Sequence, residues 1–428
     1  MDFSKLLGFV AFICFSISMT ASSSIGQFNL RANLTRRSEE GIDSTQRLRR
    51  AVDRSKRRMN TIEAFVEQQI AGQFDAETPI RVAGGEFLMD VAVGTPSVSF
   101  EAIVDTGSDL IWTQCMPCQK CDQATPIFDP SKSSTYSRVP CTNSLCYALG
   151  VSKTGCNPDC TYDYTYVSGE TSGDLAYESL SIGSGSGSNV PRIAFGCSHN
   201  SQGLSPYAGL VGLGRGLLSL ISQLGPMVDN KFSYCLLPRT DSSSQTSLLI
   251  FGESASLSGA NTFAFIKNSA FPSFWYIPLT GITLNGKPVN IPAGTFDLQS
   301  NGRGGMIIDS GTTLTYLVEA AYTPLREAIQ SAIDLTPTDG SSVGFDLCYQ
   351  TSGKVALPSL TFNFAGSVNY ELPPENVFVR ASENLLCLAM GAMRGLSIFG
   401  NVQQQNFQIL YDNAQNTLSF KPAKCDSL

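Results

Sequence analysis

Most of this chain alternates apolar and polar positions in short bursts. From residue 79 onward, the runs at 85–93, 100–104 and 161–167 have the length and composition of strands, and Gly, Ser and Pro punctuate them, as at 181–188. Helical periodicity is rarer. Residues 320–333 carry one such pattern, and a second at 44–70 places Leu48, Val52, Met59, Ile62, Val66 and Ile70 at spacings of three, four and seven. The pattern predicts a mainly β protein preceded by one amphipathic helix. A different signature opens the chain: residues 6–17 are almost all apolar, follow Lys5 and lead into small residues at 20–24. That order reads as a secretory signal peptide spanning 1–24, too short to cross a membrane, and no later run of about 18 apolar residues supplies an anchor. A buried N-terminal helix is disfavoured, because the segment runs into a very polar stretch that would isolate it from any core.

Composition narrows the chemistry. The chain has 428 residues, 42% hydrophobic and 15% charged. It can therefore bury a large core, in two or three units at about 100–200 residues each, and is not a disordered charged protein. Its single histidine, His199, excludes a two-histidine zinc protease and a tri-histidine metal site. No Gly-x-Ser-x-Gly elbow accompanies His199, whose polar surroundings read as a surface loop. Of the 13 cysteines, Cys14 would leave with the signal, and the remaining twelve suit six disulfides in an oxidising compartment better than zinc at Cys115, Cys118 and Cys121. Seven of these fall between Cys115 and Cys160 and five beyond, so complete pairing needs at least one bridge between the groups.

Charge is distributed unevenly. Ten of the 29 basic residues lie at 31–58, seven of them at 47–58, whereas beyond residue 78 there are 18 basic and 27 acidic residues, a net charge of −9. A basic helix ahead of an acidic body predicts a detachable prosegment at 25–78, held partly by charge, rather than a nucleic-acid or membrane-binding arm. The only glycosylation sequon, Asn33-Leu34-Thr35, lies inside that segment.

A distant internal similarity carries the chemistry. Ala102-Ile103-Val104-Asp105-Thr106-Gly107-Ser108 and Met306-Ile307-Ile308-Asp309-Ser310-Gly311-Thr312 share three apolar residues, Asp, a hydroxyl residue, Gly and a second hydroxyl residue. Each is followed by an apolar pair and glycine, Leu210-Val211-Gly212 and Ile398-Phe399-Gly400. Two related lobes, 79–245 and 246–428, each presenting one such turn, are the simplest reading. One Asp-x-Gly turn is weak evidence, since aspartates often cap turns. Two matched copies predict that the carboxylates of Asp105 and Asp309 meet across a pseudo-twofold axis. Like charges in a shared site cannot both ionise easily, so the pair holds one proton between them. The ionised member can then take a proton from a bound water while its partner donates to an amide carbonyl oxygen, with no cofactor or metal. Thr106 and Ser310 are expected to hydrogen-bond across the lobes, and Gly107 and Gly311 to let a substrate backbone approach.

These turns resemble those of the pepsin-like aspartic proteases, and more closely the plant nepenthesin-type branch. The segments at 105–121 (DTGSDLIWTQCMPCQKC), 208–224 (AGLVGLGRGLLSLISQL), 232–236 (FSYCL), 344–349 (GFDLCY) and 397–406 (SIFGNVQQQN) carry the likeness, which runs from about residue 86 to 425. The resemblance implies a mainly β, bilobal fold with the active site in the cleft between the lobes. It implies catalytic roles for Asp105 and Asp309, substrate contacts from Tyr166, Gly107, Gly311 and Thr312, and support from Thr106, Ser108, Trp112 and Ser310. Tyr166 would close over substrate on a hairpin flap with Trp112 behind it, although Tyr162, Tyr164 and Tyr166 are also what plain sheet packing would produce. The flap departs from the family at Val167, where glycine is usual, and at Glu170, which replaces a small residue. A β-branched residue stiffens the hairpin, and a carboxylate near the cleft would attract basic substrate side chains. The disulfides implied are Cys115 to Cys118, Cys121 to Cys197, Cys141 to Cys160, Cys146 to Cys156, Cys235 to Cys425 and Cys348 to Cys387.

The expectation is a secreted, monomeric aspartic endopeptidase acting on polypeptides at acid pH, made as a zymogen whose own prosegment inhibits it. It has no nucleic-acid partner, no membrane anchor and no cofactor, and its destination is the extracellular space (apoplast) rather than the vacuole. The rival is a catalytically silent relative that inhibits cell-wall hydrolases. Such relatives lose one aspartate or its turn, and both are present here.

Overall fold

The structure, a computed structural model, describes residues 30–35, 43–71, 85–121, 127–166, 169–183, 188–202, 207–238, 246–351 and 353–427. The expected signal peptide, flap residues Val167 and Ser168, and residues 184–187 lie outside these. The described chain is mainly β and forms two lobes about a cleft.

In the first lobe, strand β2 (Leu88–Val93) pairs antiparallel with β3 (Val98–Asp105), Leu88 opposite Ile103. The turn between them uses Gly94 at φ 95°, a left-handed conformation that glycine adopts without cost. β3 ends in Asp105, and Gly209–Gly212 runs parallel beside it with Gly212 opposite Asp105. Strands flanked in this way have both faces covered, which explains why Ala102, Ile103 and Val104 are all buried. The second lobe repeats the design: Met306–Ile308 leads to Asp309 and runs parallel to Ser397–Phe399, Ile308 opposite Phe399. The two apolar-pair-glycine motifs now have a steric reason. A Cβ at Gly212 would lie 2.3 Å from the Asp109 carbonyl carbon, and one at Gly400 would lie 2.4 Å from that of Leu314.

A fifteen-stranded sheet runs through the first lobe and into the second. Its central members are Lys231–Cys235, which pairs with both Thr246–Phe251 and Phe407–Asp412, so strands on either side of residue 245 share one sheet. Between Thr246–Phe251 and β2 lies β1 (Leu30–Thr35), a strand from the expected prosegment. Leu30, Ala32 and Leu34 are buried while Arg31 and Asn33 are exposed. This strand was not foreseen, although its alternation is legible in the residues. It puts the sequon asparagine on an outward-facing position.

Helix α1 (Ser44–Ala71) meets the expectation for 44–70 almost residue for residue. Asp43 caps it, accepting from the Gln46 amide at 2.8 Å. Leu48, Val52 and Ile62 are buried, and with Met59 they pack into a cluster containing Phe271, Phe274, Tyr276, Tyr316 and Phe345 of the second lobe. The 320–333 pattern forms Glu319–Ala332. No helix among the described residues is long and apolar enough to cross a membrane.

Six disulfides form, but four of the expected pairings are corrected. Cys235 to Cys425 and Cys348 to Cys387 stand, whereas the others are Cys115 to Cys197, Cys118 to Cys121, Cys141 to Cys156 and Cys146 to Cys160. Strand alignment decides the first exchange. β4 (Trp112–Gln114) runs parallel to Ser188–Gln202 with Thr113 beside Cys197, which brings Cys115 within 5.3 Å of Cys197 between Cα atoms. Burial decides the second: Cys156 and Cys160 face each other across a hairpin, and buried Cys160 takes buried Cys146 while exposed Cys156 takes half-buried Cys141. The single bridge between the two cysteine groups is thus made by Cys115 rather than Cys121.

His199 is also corrected. It lies in the strand Ser188–Gln202, half-buried, not in a surface loop. Its Nε2 is 3.0 Å from an Asp174 carboxylate oxygen and its Nδ1 is 3.0 Å from the Pro117 carbonyl oxygen, so it clamps the Cys115–Cys121 loop to the sheet.

Candidate active site

The duplicated turns meet at the base of the cleft, and their hydrogen bonds mirror each other. Gly107 N donates to Asp105 Oδ1 and Gly311 N to Asp309 Oδ1, both at 2.9 Å. Ser108 Oγ donates to Asp105 Oδ2 and Thr312 Oγ1 to Asp309 Oδ2, both at 2.5 Å. Each carboxylate is therefore held by its own turn, which fixes an inner oxygen (Oδ1) and an outer one (Oδ2). Across the lobes, Thr106 N donates to Ser310 Oγ at 3.1 Å and Ser310 N donates to Thr106 Oγ1 at 2.8 Å, the interlobe bonds expected of the two hydroxyl residues.

The glycines serve the carboxylates before any substrate. A Cβ at Gly107 would stand 2.7 Å from Asp309 Oδ1, and one at Gly311 would stand 2.5 Å from Asp105 Oδ1. Real Cβ atoms do not approach oxygen so closely, so each turn needs glycine to admit the opposite aspartate. Both aspartates are 0% exposed. Burial pushes the Asp309 carboxyl up from the usual range, the Arg58 guanidinium pulls it back, and the Asp105 charge adds to the rise.

Arg58, on α1, fills the space between the carboxylates. Its Nη2 donates to Asp105 Oδ1 at 2.5 Å and to Asp309 Oδ1 at 3.0 Å, and its Nε donates to Asp309 Oδ2 at 2.6 Å. Burial opposes the guanidinium charge, but Asp105 and Asp309 more than compensate and hold its pKa above the ordinary value. One turn earlier, Arg54 Nε lies 2.5 Å from Glu86 Oε1, whose other oxygen accepts from the Tyr207 hydroxyl at 3.1 Å. Between them, Ser55 Oγ accepts from Thr313 N at 2.7 Å. Positions 54, 55 and 58 share one helix face, so charge complementarity, which was read only as a general property of the segment, resolves into two named contacts.

Tyr166 ends the strand Cys160–Tyr166, opposite Gly169 at the flap hairpin. Its ring centroid is 6.3 Å from that of Trp112 and 4.9 Å from that of Tyr164. Burial raises its pKa, and nearby Tyr164 and Asp105 add to the rise. The Tyr166 and Trp112 side chains are both buried, and the indole opposes the rise of the Tyr166 pKa. Glu170 is half-buried and accepts from Gln202 Nε2 at 2.7 Å. Asp109 is a further buried carboxyl that sequence reasoning missed. It accepts from Gly216 N at 2.9 Å and from Ser273 Oγ of the second lobe, and burial pushes its pKa up to about 6. His199 makes its contacts on the far side of the insertion and takes no part in the dyad.

Residues 87–253 match a family model described as xylanase inhibitor N-terminal, and residues 274–422 match one described as xylanase inhibitor C-terminal. Among characterised sequences, aspartic proteinase nepenthesin-1 of Nepenthes gracilis is 44% identical over 91% of this chain and 88% of its own length. Nepenthesin-2 of the same species is 41% identical over 99% of this chain and 98% of its own length. The crystal structure of edgp shares the fold, with a TM-score of 0.65 over 93% of this chain and 96% of that one, at 20% identity.

Proposed function

The chain belongs to the pepsin-like aspartic proteases of the plant nepenthesin type, and on that premise we propose that it is an aspartic endopeptidase made as a secreted zymogen. The observation that carries this reading is the meeting of Asp105 and Asp309 on mirrored turns, close enough for one Arg58 nitrogen to bond both inner oxygens. That nitrogen occupies the point where a water would sit equidistant from the two carboxyls. With the helix gone, a water there can give its proton to the ionised carboxylate and attack a peptide carbonyl carbon, while the protonated partner donates to the carbonyl oxygen. Collapse of the tetrahedral intermediate breaks the C–N bond as the amine nitrogen takes a proton from the dyad. One proton must reside on the pair, so activity belongs to acid pH.

In this reading residues 1–24 leave as signal, 25–78 form the inhibitory prosegment, and the lobes 79–245 and 246–428 form a monomeric mature enzyme in the extracellular space. Tyr166 closes over polypeptide substrate, Gly107, Gly311 and Thr312 line its path, and Thr106, Ser108, Trp112 and Ser310 hold the machinery in place. The family descriptions name inhibitors, which keeps a silent cell-wall-hydrolase inhibitor as the rival. An inhibitor has no need of a balanced dyad with intact hydroxyl supports on both sides, and this supports the protease. Asp309→Asn in the full-length protein should abolish cleavage of a denatured protein at acid pH without altering thermal unfolding by more than a few degrees. Retained cleavage would overturn the mechanism, and an inert wild type that binds a glycosidase would favour the rival.

A further inference from the structure

We infer that Tyr411, Tyr234 and Gln404 form a one-way hydrogen-bond relay that positions the Asp309 turn from below, tying it to the sheet shared by the lobes. Two of the segments that carry the family likeness, 232–236 and 397–406, have no part in the dyad chemistry, and the relay gives them one. It rests on the protease reading only where activity is the readout.

Tyr234 and Tyr411 sit on neighbouring antiparallel strands, Phe232 opposite Tyr411 and Tyr234 opposite Ile409. They are thus diagonal neighbours on one face, with ring centroids 5.6 Å apart and hydroxyls 2.8 Å apart. The Tyr234 hydroxyl donates to Gln404 Oε1 at 2.5 Å, and Gln404 Nε2 donates to the Phe399 carbonyl at 2.9 Å and the Asp309 carbonyl at 3.3 Å. Tyr234, Tyr411 and Gln404 are each at most 1% exposed.

Proton bookkeeping gives the chain a direction. The Gln404 nitrogen faces two carbonyls, which can only accept, so its oxygen must be the acceptor. Tyr234 has one proton and donates it there, so Tyr411 must donate to Tyr234. The relay therefore breaks the pseudo-twofold: the Asp309 carbonyl accepts from a side chain tied to the shared sheet, whereas the Asp105 carbonyl accepts from the Leu213 backbone amide. Burial keeps both phenols above their usual pKa, so the direction persists throughout the pH range of the enzyme.

The test uses the full-length, acid-activated protein with Tyr411→Phe, Tyr234→Phe, the double variant and Gln404→Glu. Each Tyr→Phe change keeps the ring and removes one link. Expected is a fall in kcat of about tenfold with KM changed less than about twofold, and a double variant no worse than the poorer single, because the links act as a unit. Gln404→Glu should work while its buried carboxyl is protonated and lose activity at lower pH than wild type as it ionises, a change in pH profile that simple loosening would not give. Hydrogen exchange on the unactivated protein supplies a readout free of activity: in Tyr411→Phe, a peptide covering 306–314 should exchange faster while 102–110 and the rest of the core do not. Unchanged kcat with unchanged exchange at the Asp309 turn would overturn the relay, as would exchange raised uniformly across the core. If wild type never cleaves yet that turn alone loses protection, the protease reading falls and the relay stands. Should Tyr411→Phe fail to fold, Tyr234→Phe and Gln404→Glu carry the same comparison.

Discussion

Replacing Arg58 by methionine removes the latch and keeps most of its aliphatic stem. Arg58 makes three charge-assisted contacts to two carboxylates that are 0% exposed. Breaking such a buried pair costs about 3–5 kcal/mol, part of it from the charges left behind. The dyad can relieve that part by taking a proton, so the lower figure applies, about 3 kcal/mol or on the order of a hundredfold in helix release. The pH dependence follows from the same contact. Arg58 opposes the rise of the Asp309 pKa, whereas without the guanidinium the two carboxyls face each other and hold one proton between them, so opening the cleft takes up a proton. The latch therefore holds fully above the empty-cleft pKa and weakens as pH falls through the latched value. The assay is cleavage of a quenched fluorescent peptide within seconds of a pH drop, before the prosegment is processed. Arg58→Met should become active at higher pH than wild type. Arg58→Lys should fall between, since an ammonium cannot reproduce the guanidinium fork across both carboxylates. Arg54→Met should shift the onset less, because it anchors Glu86 and not the dyad. Identical onset pH in wild type and Arg58→Met would refute the latch.

Three further outcomes are expected. The hydrogen bond from His199 to Asp174 raises the His199 pKa and lowers that of Asp174; the histidine contribution is full below its unfolded pKa and fades as pH rises, while the aspartate contribution is full above its unfolded pKa and fades as pH falls. His199→Gln should thus cost about 1 kcal/mol near pH 5, where both are charged, and less near pH 8; equal losses in thermal unfolding at both would refute the ion pair. Gly311→Ala forces a Cβ to within 2.5 Å of Asp105 Oδ1 and should lower kcat about a hundredfold, with full activity arguing against a shared carboxylate site. Glu170 has a neutral partner in Gln202, so its charge remains available to substrate, and Glu170→Gln should reduce the preference for Lys- and Arg-containing peptides in a library; unchanged preferences would discard that role.

What could be read from the residues depended on repetition. The dyad was legible because the aspartate turn occurs twice, and the strands beneath it because a buried strand must be apolar wherever it lies. α1 was legible from its own periodicity, and β1 would have been: Leu30, Ala32 and Leu34 alternate with polar residues. Disulfide pairing was not legible, because spacing along the chain does not tell which strands lie side by side. Cys156 lies nearer Cys146 than Cys141 in sequence yet bonds Cys141, and only the faces on which these residues are buried decide the pairing. His199 was misplaced for a similar reason. Ser198, His199 and Asn200 look like a loop, yet they form a strand whose outer face is covered by the Cys115–Cys121 loop.

Single-copy features were harder still, and they govern the site most directly. Arg58 is one of seven basic residues within twelve positions, and nothing in that run marks it out. Its role follows from helix phase: the apolar face formed by Leu48, Val52 and Ile62 docks on the second lobe, and that docking turns positions 54 and 58 toward the two acidic targets. Tyr234, Tyr411 and Gln404 likewise come from three separate segments, and the repeated motif that ends at Gly400 stops short of Gln404. A duplicated fold on its own would produce two equivalent aspartates, whereas acid-base chemistry needs two inequivalent ones. In the latched protein Arg58 contacts Asp309 at both oxygens and Asp105 at one; once the helix has left, the surviving asymmetry is the relay, which reaches the Asp309 carbonyl through Gln404 while the Asp105 carbonyl accepts from the Leu213 amide. Symmetry therefore reveals where the chemistry happens, and the departures from it decide which carboxylate does what.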